Sequence, residues 1–356
     1  MADPLSPVMM DALRTIAPGR PLRDALDRIL QANKGALVVV GDGPDVLAIC
    51  SGGFLLDSEF SPQRMAELAK MDGAIILASD ASRIARSNVH LVPNPNVQTS
   101  ETGTRHRTAE RVARSIDVPV IAVSEDMAVI TVYRNDTKHR LDTIARLLGR
   151  GNQALQTLER YRNRLDAVTS SLSALEVEDL VTARDVVTVL QRAEMVRRIA
   201  DEVDGYITEL GEDGRLLRLQ LEELMAGVDD DRRSVILDYL PDDDRAWVDE
   251  TLGELTDVRT ELLLDSKQVG HLLRLSGDVD LDATLQPRGY RLLSKIPRLP
   301  DSVIAAIVGH FATLQKVMRA TMEDLEMIEG VETLNARVVK DGLSRLAESS
   351  ILDRFS

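Results

Sequence analysis

Aromatic residues make up only 3% of the 356-residue chain, so its cores must be aliphatic, built from Leu, Ile, Val, Ala and the 11 Met. One cysteine, Cys50, excludes an internal disulfide and any cysteine-rich zinc site, which suits a reducing cytoplasm. Its ordinary reading is a buried strand residue. No apolar run approaches the roughly 20 residues of a spanning helix, and the start MADPLSPVMMDALR lacks a basic region followed by an apolar one. A soluble, unexported, cytoplasmic protein with no membrane partner is expected. The five His, at 90, 106, 139, 271 and 310, form neither HExxH nor any pair at metal-ligand spacing. The G-x-S-x-G elbow and the GxxxxGK[ST] loop are missing too. Zinc hydrolases, elbow-type serine hydrolases and P-loop nucleotidases are thereby set aside.

The length suggests two or three domains, since single cores rarely grow past about 250 to 300 residues. The net charge of −15 is unevenly spread. Residues 1–145 hold 16 basic and 18 acidic side chains, 146–285 hold 17 and 31, and 286–356 hold 10 and 9. The acidity therefore belongs to the middle, and the C-terminal section is open to a phosphate-bearing partner.

In the first section, apolar runs alternate with helical patterns, which predicts a mixed-sheet α/β domain. Expected strands are Ala36–Val40 and Val46–Cys50, read as a hairpin around Gly41–Asp45, then Ala74–Ala78, Val89–Val92, Val118–Val123 and Met127–Tyr133. Helices are expected near Pro62–Lys70 and Arg105–Ile116. Beyond Asp136 strand signals vanish. Leu158, Tyr161, Leu165, Val168, Leu172 and Leu175, then Val196, Ile199, Val203, Tyr206 and Leu210, recur at helical spacing and predict a long bundle or spine over 146–285. Residues 286–356 read as helix, turn, helix, twice over.

Two pieces of the first section carry chemistry. Asp72-Gly73-Ala74 is an acidic turn leading into a buried run, where glycine allows close backbone approach and Asp72 could hold Mg²⁺ with phosphate oxygens and water. Gly103 precedes a helix whose first amides, near Thr104 to Arg107, are free for an anion. Arg105 and Arg107 add forked donors, and the Thr104 and Thr108 hydroxyls share one helix face. Together this describes a polyphosphate cradle. A solvated basic helix start, with His106 paired to Glu110, is the plainer alternative.

KMDGAIILASD followed by ETGTRHRTAER resembles the paired signature of the diadenylate cyclase family. The order of sections, with IPRLP and a later EGV turn, resembles its DNA-integrity-scanning members over essentially the whole chain. The resemblance implies a cyclase domain at 1–145, an elongated helical-bundle spine at 146–285 and a helix-hairpin-helix domain at 286–356. It implies condensation of two ATP into cyclic di-AMP and two pyrophosphates with Mg²⁺ or Mn²⁺, in a homo-octamer of face-to-face cyclase dimers. Carried over by position, Asp72 is the essential carboxylate, orienting the metal or activating the hydroxyl. Gly73 contacts the nucleotide through its backbone, Leu91 lines the adenine pocket, and Thr104, Arg105, His106, Arg107 and Thr108 hold the phosphates. Ser124 either contacts phosphate or metal or simply closes a tight turn.

Against the pattern hPGhGxxxA, Gly330 and Ala336 fit in the second C-terminal turn, but Glu332 stands at the second glycine position. Arg298 and Pro300 stand where the first turn would have glycines. Binding to branched or damaged DNA, sequence-independent and nucleoid-associated, is then expected from Arg288, Arg291, Lys295, Arg298 and Gly330. A protein-only docking role is the alternative for this section. For the whole chain the alternative is a structural DNA scanner that binds ATP without turning it over.

Overall fold

The computed structural model describes residues 6–240, 245–274 and 280–353. It divides into two compact units, one formed by residues 1–155 with 201–221 and one by 156–200 with 222–356. This differs from the three expected sections, because the division falls inside two long helices.

The first unit opens with α1 (Pro7–Thr15) and α2 (Pro21–Gln31), each with proline in its first turn. There follow β1 (Ala36–Val40), α3 (Pro44–Ala48), β2 (Cys50–Ser51), β3 (Phe54–Glu59), α4 (Pro62–Leu68), β4 (Ala74–Leu77), β5 (Arg83–Leu91), α5 (Thr104–Ser115), β6 (Val120–Ser124), β7 (Val129–Arg134) and β8 (Thr137–Arg140). The sheet order is β2-β5-β4-β1-β6-β7-β8, with β3 also paired to β5. β1 runs parallel to β4 and antiparallel to β6, which makes the sheet mixed, as expected.

Every β1 residue is buried because both faces of the sheet are covered. Val38 and Val40 join Ile75, Leu77, Ile121 and Val123 in a core with α1, α2 and α4. Leu37 and Val39 face the other way, joining Ile76, Val120 and Ala122 against Ala109, Val112 and Ala113 of α5. This period-two alternation places α5 on one face of the central strands.

Three local expectations are corrected. The 36–50 stretch is no hairpin: Pro44 presets the helical dihedral at the start of α3, and β1 pairs with β4 and β6 instead. β5 begins at Arg83, well before the expected extended run, its pattern interrupted by register shifts opposite β4 and by Asn88 at φ 53°. Strand structure continues past Asp136 as β8, an edge strand of Thr, Lys, His and Arg joined to β7 through Asn135 at φ 50°. Cys50 is half-buried, its thiol donating to the Val46 carbonyl at 3.1 Å.

Both expected apolar stripes lie on helices, α6 (Ile144–Glu178) and α7 (Ala183–Leu210). Beyond them come α8 (Arg215–Met225), α9 (Val228–Tyr239), α10 (Arg245–Asp257), α11 (Thr260–Leu263) and α12 (Ser266–Leu272). In the first unit Glu209 near the end of α7 receives the His139 ring at 2.8 Å and the Asp142 amide at 2.9 Å.

The C-terminal section, in the second unit, holds α13 (Tyr290–Ser294), α14 (Asp301–Phe311), α15 (Leu314–Arg319), α16 (Met322–Glu326) and α17 (Thr333–Asp353). Its two turns match residue by residue. Ile296 and Leu299 flank Arg298 at φ 64°, while Ile328 and Val331 flank Gly330 at φ 87°, and all four apolar residues enter one core. Arg298 thus adopts the left-handed backbone that glycine adopts without penalty, a conformation costing other residues roughly 1–2 kcal/mol.

Candidate nucleotide site and nucleic-acid surface

The acidic turn and the basic triplet, some thirty residues apart in sequence, meet. Arg105 Nη2 lies 3.7 Å from a carboxylate oxygen of Asp72, whose side chain is fully exposed. Arg105 reaches that place across Gly35: a Cβ there would fall 2.1 Å from Arg105 Nη1. Gly73 is required by packing, since a Cβ on it would lie 2.5 Å from the Asn88 carbonyl carbon and 2.6 Å from its Cα. The bulged backbone of β5 therefore presses directly on the turn that carries Asp72.

Gly103 is the N-cap of α5, with extended backbone and no side-chain cap. The helix's first amides therefore have no capping side chain. Thr104 and Arg107 are exposed; Arg105, His106 and Thr108 are half-buried. His106 does not pair with Glu110, against the plainer alternative. Its ring meets Tyr133 edge-on at 6.4 Å, and Nε2 is buried without a hydrogen-bond partner. Burial holds the imidazole below its ordinary pKa, with Glu101 opposing that shift and Arg105 and Lys138 adding to it. The ring is thus neutral at pH 7.

Glu110 is occupied elsewhere. It accepts from the Thr99 hydroxyl and, at 2.9 Å, from the Ser100 amide, and it pairs with Arg114 at 3.1 Å. Burial alone would raise its carboxyl, but the hydrogen bonds from Thr99 and Ser100 and the charge of Arg114 hold it below its ordinary value. Lys138 of β8 pairs with Glu101 at 2.7 Å. Sequence reasoning missed Thr99, Glu101, Glu110 and Lys138, whose partners lie in an irregular segment and on an edge strand.

Two further expected site residues stand at strand ends. Leu91 is buried at the end of β5 among Val39, Ala74 and Val89, so its side chain belongs to the core. The Ser124 hydroxyl accepts from the Met127 amide at 3.3 Å and closes the β6–β7 turn.

Among the described residues no three His, Cys, Asp or Glu gather as a metal site. Mg²⁺ commonly takes only one or two protein carboxylates and completes its shell with phosphate oxygens and water. A lone exposed Asp72 fits a cation that arrives with a nucleotide.

Of the four expected DNA-contacting cations, Arg291 is corrected. It is 0% exposed, and its Nε donates to Glu176 Oε1 at 3.0 Å, with Glu176 also 0% exposed. The Tyr239 hydroxyl donates to the same oxygen at 2.7 Å. Asp238 accepts from the amides of Gly289, Tyr290 and Arg291 at 2.8, 2.6 and 2.9 Å, serving the uncapped start of α13. Arg288 is half-buried and donates to the Leu240 carbonyl at 2.9 Å. Lys295 and Arg298 are exposed. Around Gly330 a Cβ would meet nothing within 4 Å, so that turn is open to an approaching group.

Among the described residues no helix is long and apolar enough to cross a membrane. The family model for the DisA bacterial checkpoint controller nucleotide-binding region matches residues 23–138, and that for the DisA bacterial checkpoint controller linker region matches 141–281. The DNA integrity scanning protein DisA of Frankia casuarinae is 55% identical over 345 residues, covering 96% of each chain. That of Streptomyces coelicolor is 50% identical over 352 residues, covering 98% of this chain and 94% of its own. DacA from Staphylococcus aureus, a solved structure, matches 36% of this chain and 86% of its own at 23% identity and a TM-score of 0.28, too low to bear on the fold. With identities of 50–55% over nearly the whole length and both family regions in order, the chain belongs to the DisA family and is a diadenylate cyclase, a nucleotidyltransferase.

Proposed function

We propose that the chain condenses two ATP into cyclic di-AMP and couples this reaction to DNA bound by its C-terminal section. The observation that carries the first half is the meeting of Asp72 and Arg105 beside the uncapped end of α5. A triphosphate laid on that end would receive the first amides of the helix and the guanidinium groups of Arg105 and Arg107, all donors suited to phosphate oxygens. Thr104 and Thr108 would add hydroxyls on one face. Gly73 would contact the nucleotide through its backbone. Leu91 would support an adenine only from beneath, and Ser124 only from its turn.

The reaction balances as two in-line displacements. The 3′-oxygen of each ATP forms a bond to the α-phosphorus of the other, the α–β bridging bond breaks, and pyrophosphate leaves. Asp72 would hold Mg²⁺ or Mn²⁺ against the triphosphate, where the cation neutralises charge building on the phosphate oxygens. The chain's own donors orient the α-phosphate, and a neutral His106 adds no charge of its own. One site holds one ATP, so two copies must face each other, and a homo-octamer built of such dimers meets that need. Membership of a cyclase family does not favour the non-catalytic alternative.

For DNA, support comes from the paired turns. Each presents a left-handed residue between two buried apolar anchors, the arrangement expected of a helix-hairpin-helix pair. Lys295, Arg298 and the open Gly330 turn would meet phosphates, with Arg288 contributing partly and Arg291 not at all. Such contacts are sequence-independent and salt-sensitive and would place the protein on the nucleoid; branched or damaged DNA is the proposed target.

The test is formation of cyclic di-AMP from ATP and Mg²⁺, with and without a four-way junction. Asp72→Asn should abolish product while the thermal midpoint and oligomer size stay unchanged; normal turnover would remove Asp72 from the site. Loss of residues 286–356 should remove both DNA binding and its effect on turnover.

A further inference from the structure

The segment from Val97 to Gly103 has no regular secondary structure, yet it delivers the chain to the uncapped end of α5. Side chains from farther along the same helix hold it. Arg114 donates to the Gln98 carbonyl at 2.6 Å, and Arg111 Nε donates to the Val97 carbonyl at 3.0 Å. One turn nearer the helix start, the buried Glu110 carboxylate takes the Thr99 hydroxyl, the Ser100 amide at 2.9 Å and the Ser100 hydroxyl at 3.3 Å. The Glu101 amide then closes on Thr99 Oγ1 at 3.1 Å. The segment thus lies antiparallel along the helix face that ends at Arg107, with Glu110 as the last tie that α5 itself supplies before the candidate phosphate cradle and Lys138 of β8 holding Glu101 beyond it.

We propose that Glu110 is a positioning residue of the nucleotide site: its carboxylate fixes Thr99 and Ser100, and through them holds the amide end of α5 and Arg105–His106–Arg107 in triphosphate-binding form before the ligand arrives. This rests on reading α5 as the phosphate cradle. The role needs a carboxylate, not merely a side chain of that size. An ionised carboxylate is acceptor-only, with room for all of these donors. Gln has one acceptor oxygen and brings two N–H donors to face the donors of Thr99 and Ser100.

The test uses the full chain with Mg²⁺ and two readouts. One is equilibrium binding of 3′-deoxy-ATP, which lacks the attacking hydroxyl and so reports binding without turnover. The other is the steady-state KM and kcat for ATP. Glu110→Gln should raise both Kd and KM roughly tenfold, the factor carried by one charge-assisted hydrogen bond, with kcat changed far less. Amides of residues 98–107 should exchange faster, while the thermal midpoint moves little. A folded variant with unchanged Kd and KM overturns the proposal and leaves the cyclase reading standing. If the variant does not fold, Thr99→Val, which removes at a half-exposed position the hydroxyl that donates to Glu110 and accepts from the Glu101 amide, must raise Kd in the same direction, and an unchanged Kd is again fatal. A wild-type chain that binds the probe but makes no cyclic dinucleotide refutes the catalytic reading, and the Kd comparison still decides the role of Glu110. Failure of the wild-type chain to bind the probe overturns both.

Discussion

Gly35→Ala is a probe of the nucleotide site that replaces none of its functional groups. The added methyl would fall 2.1 Å from Arg105 Nη1 and 2.6 Å from Cζ. Both atoms are at the far end of a flexible side chain, so the guanidinium should give way, not the backbone leading into β1. Gly35 is not in the left-handed region. At such a position Gly→Ala stabilises by about 0.4–1 kcal/mol through the unfolded chain. The Arg105–Asp72 pair is long and open to water, so its loss removes little stability. The unfolding free energy should therefore shift by less than about 1 kcal/mol. Turnover should respond much more, because one charge-assisted contact to phosphate contributes about 1.5–3 kcal/mol, or roughly 10- to 100-fold in kcat/KM. Cyclic di-AMP formation, measured beside urea unfolding on the same preparation, reads both effects. Unchanged kcat/KM would refute the role given to Arg105 in this seat. A large loss of stability would refute the premise that the side chain yields.

Gly73→Ala should behave in the opposite way: its methyl meets the backbone of Asn88 at 2.5 Å, and the forced shift should cost about 1–3 kcal/mol in urea unfolding. A variant as stable as the parent would show that the bulge at Asn88 is soft. Arg298→Gly should relieve the left-handed backbone at φ 64° and raise stability by about 1 kcal/mol. It should also weaken DNA binding and lower the slope of log K against log salt by about one; an unchanged slope would remove Arg298 from the DNA surface. For pH, burial and the Glu176 carboxylate push Asp238 up to about 7 from 3.8. The native state then holds a proton that the unfolded chain has released between those values, so this contribution to stability is full below 3.8 and fades as pH rises toward 7. Asp238→Asn should flatten that part of the stability–pH profile, and a profile parallel to wild type would show that Asp238 does not titrate there.

What the sequence makes legible follows from what each element buries. β1, β4, β6 and β7 are covered on both faces or nearly so, and they read as plain apolar runs. β8 and the first six residues of β5 carry Arg, Lys, His and Asn, because one is an edge and the other is bulged, and neither shows a period of two. α3 was hidden because Val46 and its neighbours are as apolar as a strand, and only Pro44 marks the helix start. The meeting of Asp72 with the basic triplet was foreseeable from a turn before a strand and a glycine before a helix. The use of Glu110 was not, since its partners lie in an irregular segment that no periodicity marks. Arg291 misled for a related reason: no acid stands near it in sequence, and its partner Glu176 lies 115 positions away.

The buried group of Glu176, Asp238, Tyr239 and Arg291 also bears on how this sequence can change over time. Removing Arg291 alone would leave Glu176 as an uncompensated buried charge, and removing Glu176 alone would strand Arg291, each costing about 3–5 kcal/mol. A marginally stable protein has only about 5–15 kcal/mol to lose. Single substitutions on the way to an apolar replacement are therefore nearly closed, although the finished replacement could be as stable as the ion pair. Among descendants of this chain these positions should persist together or be exchanged together, with few lineages caught between.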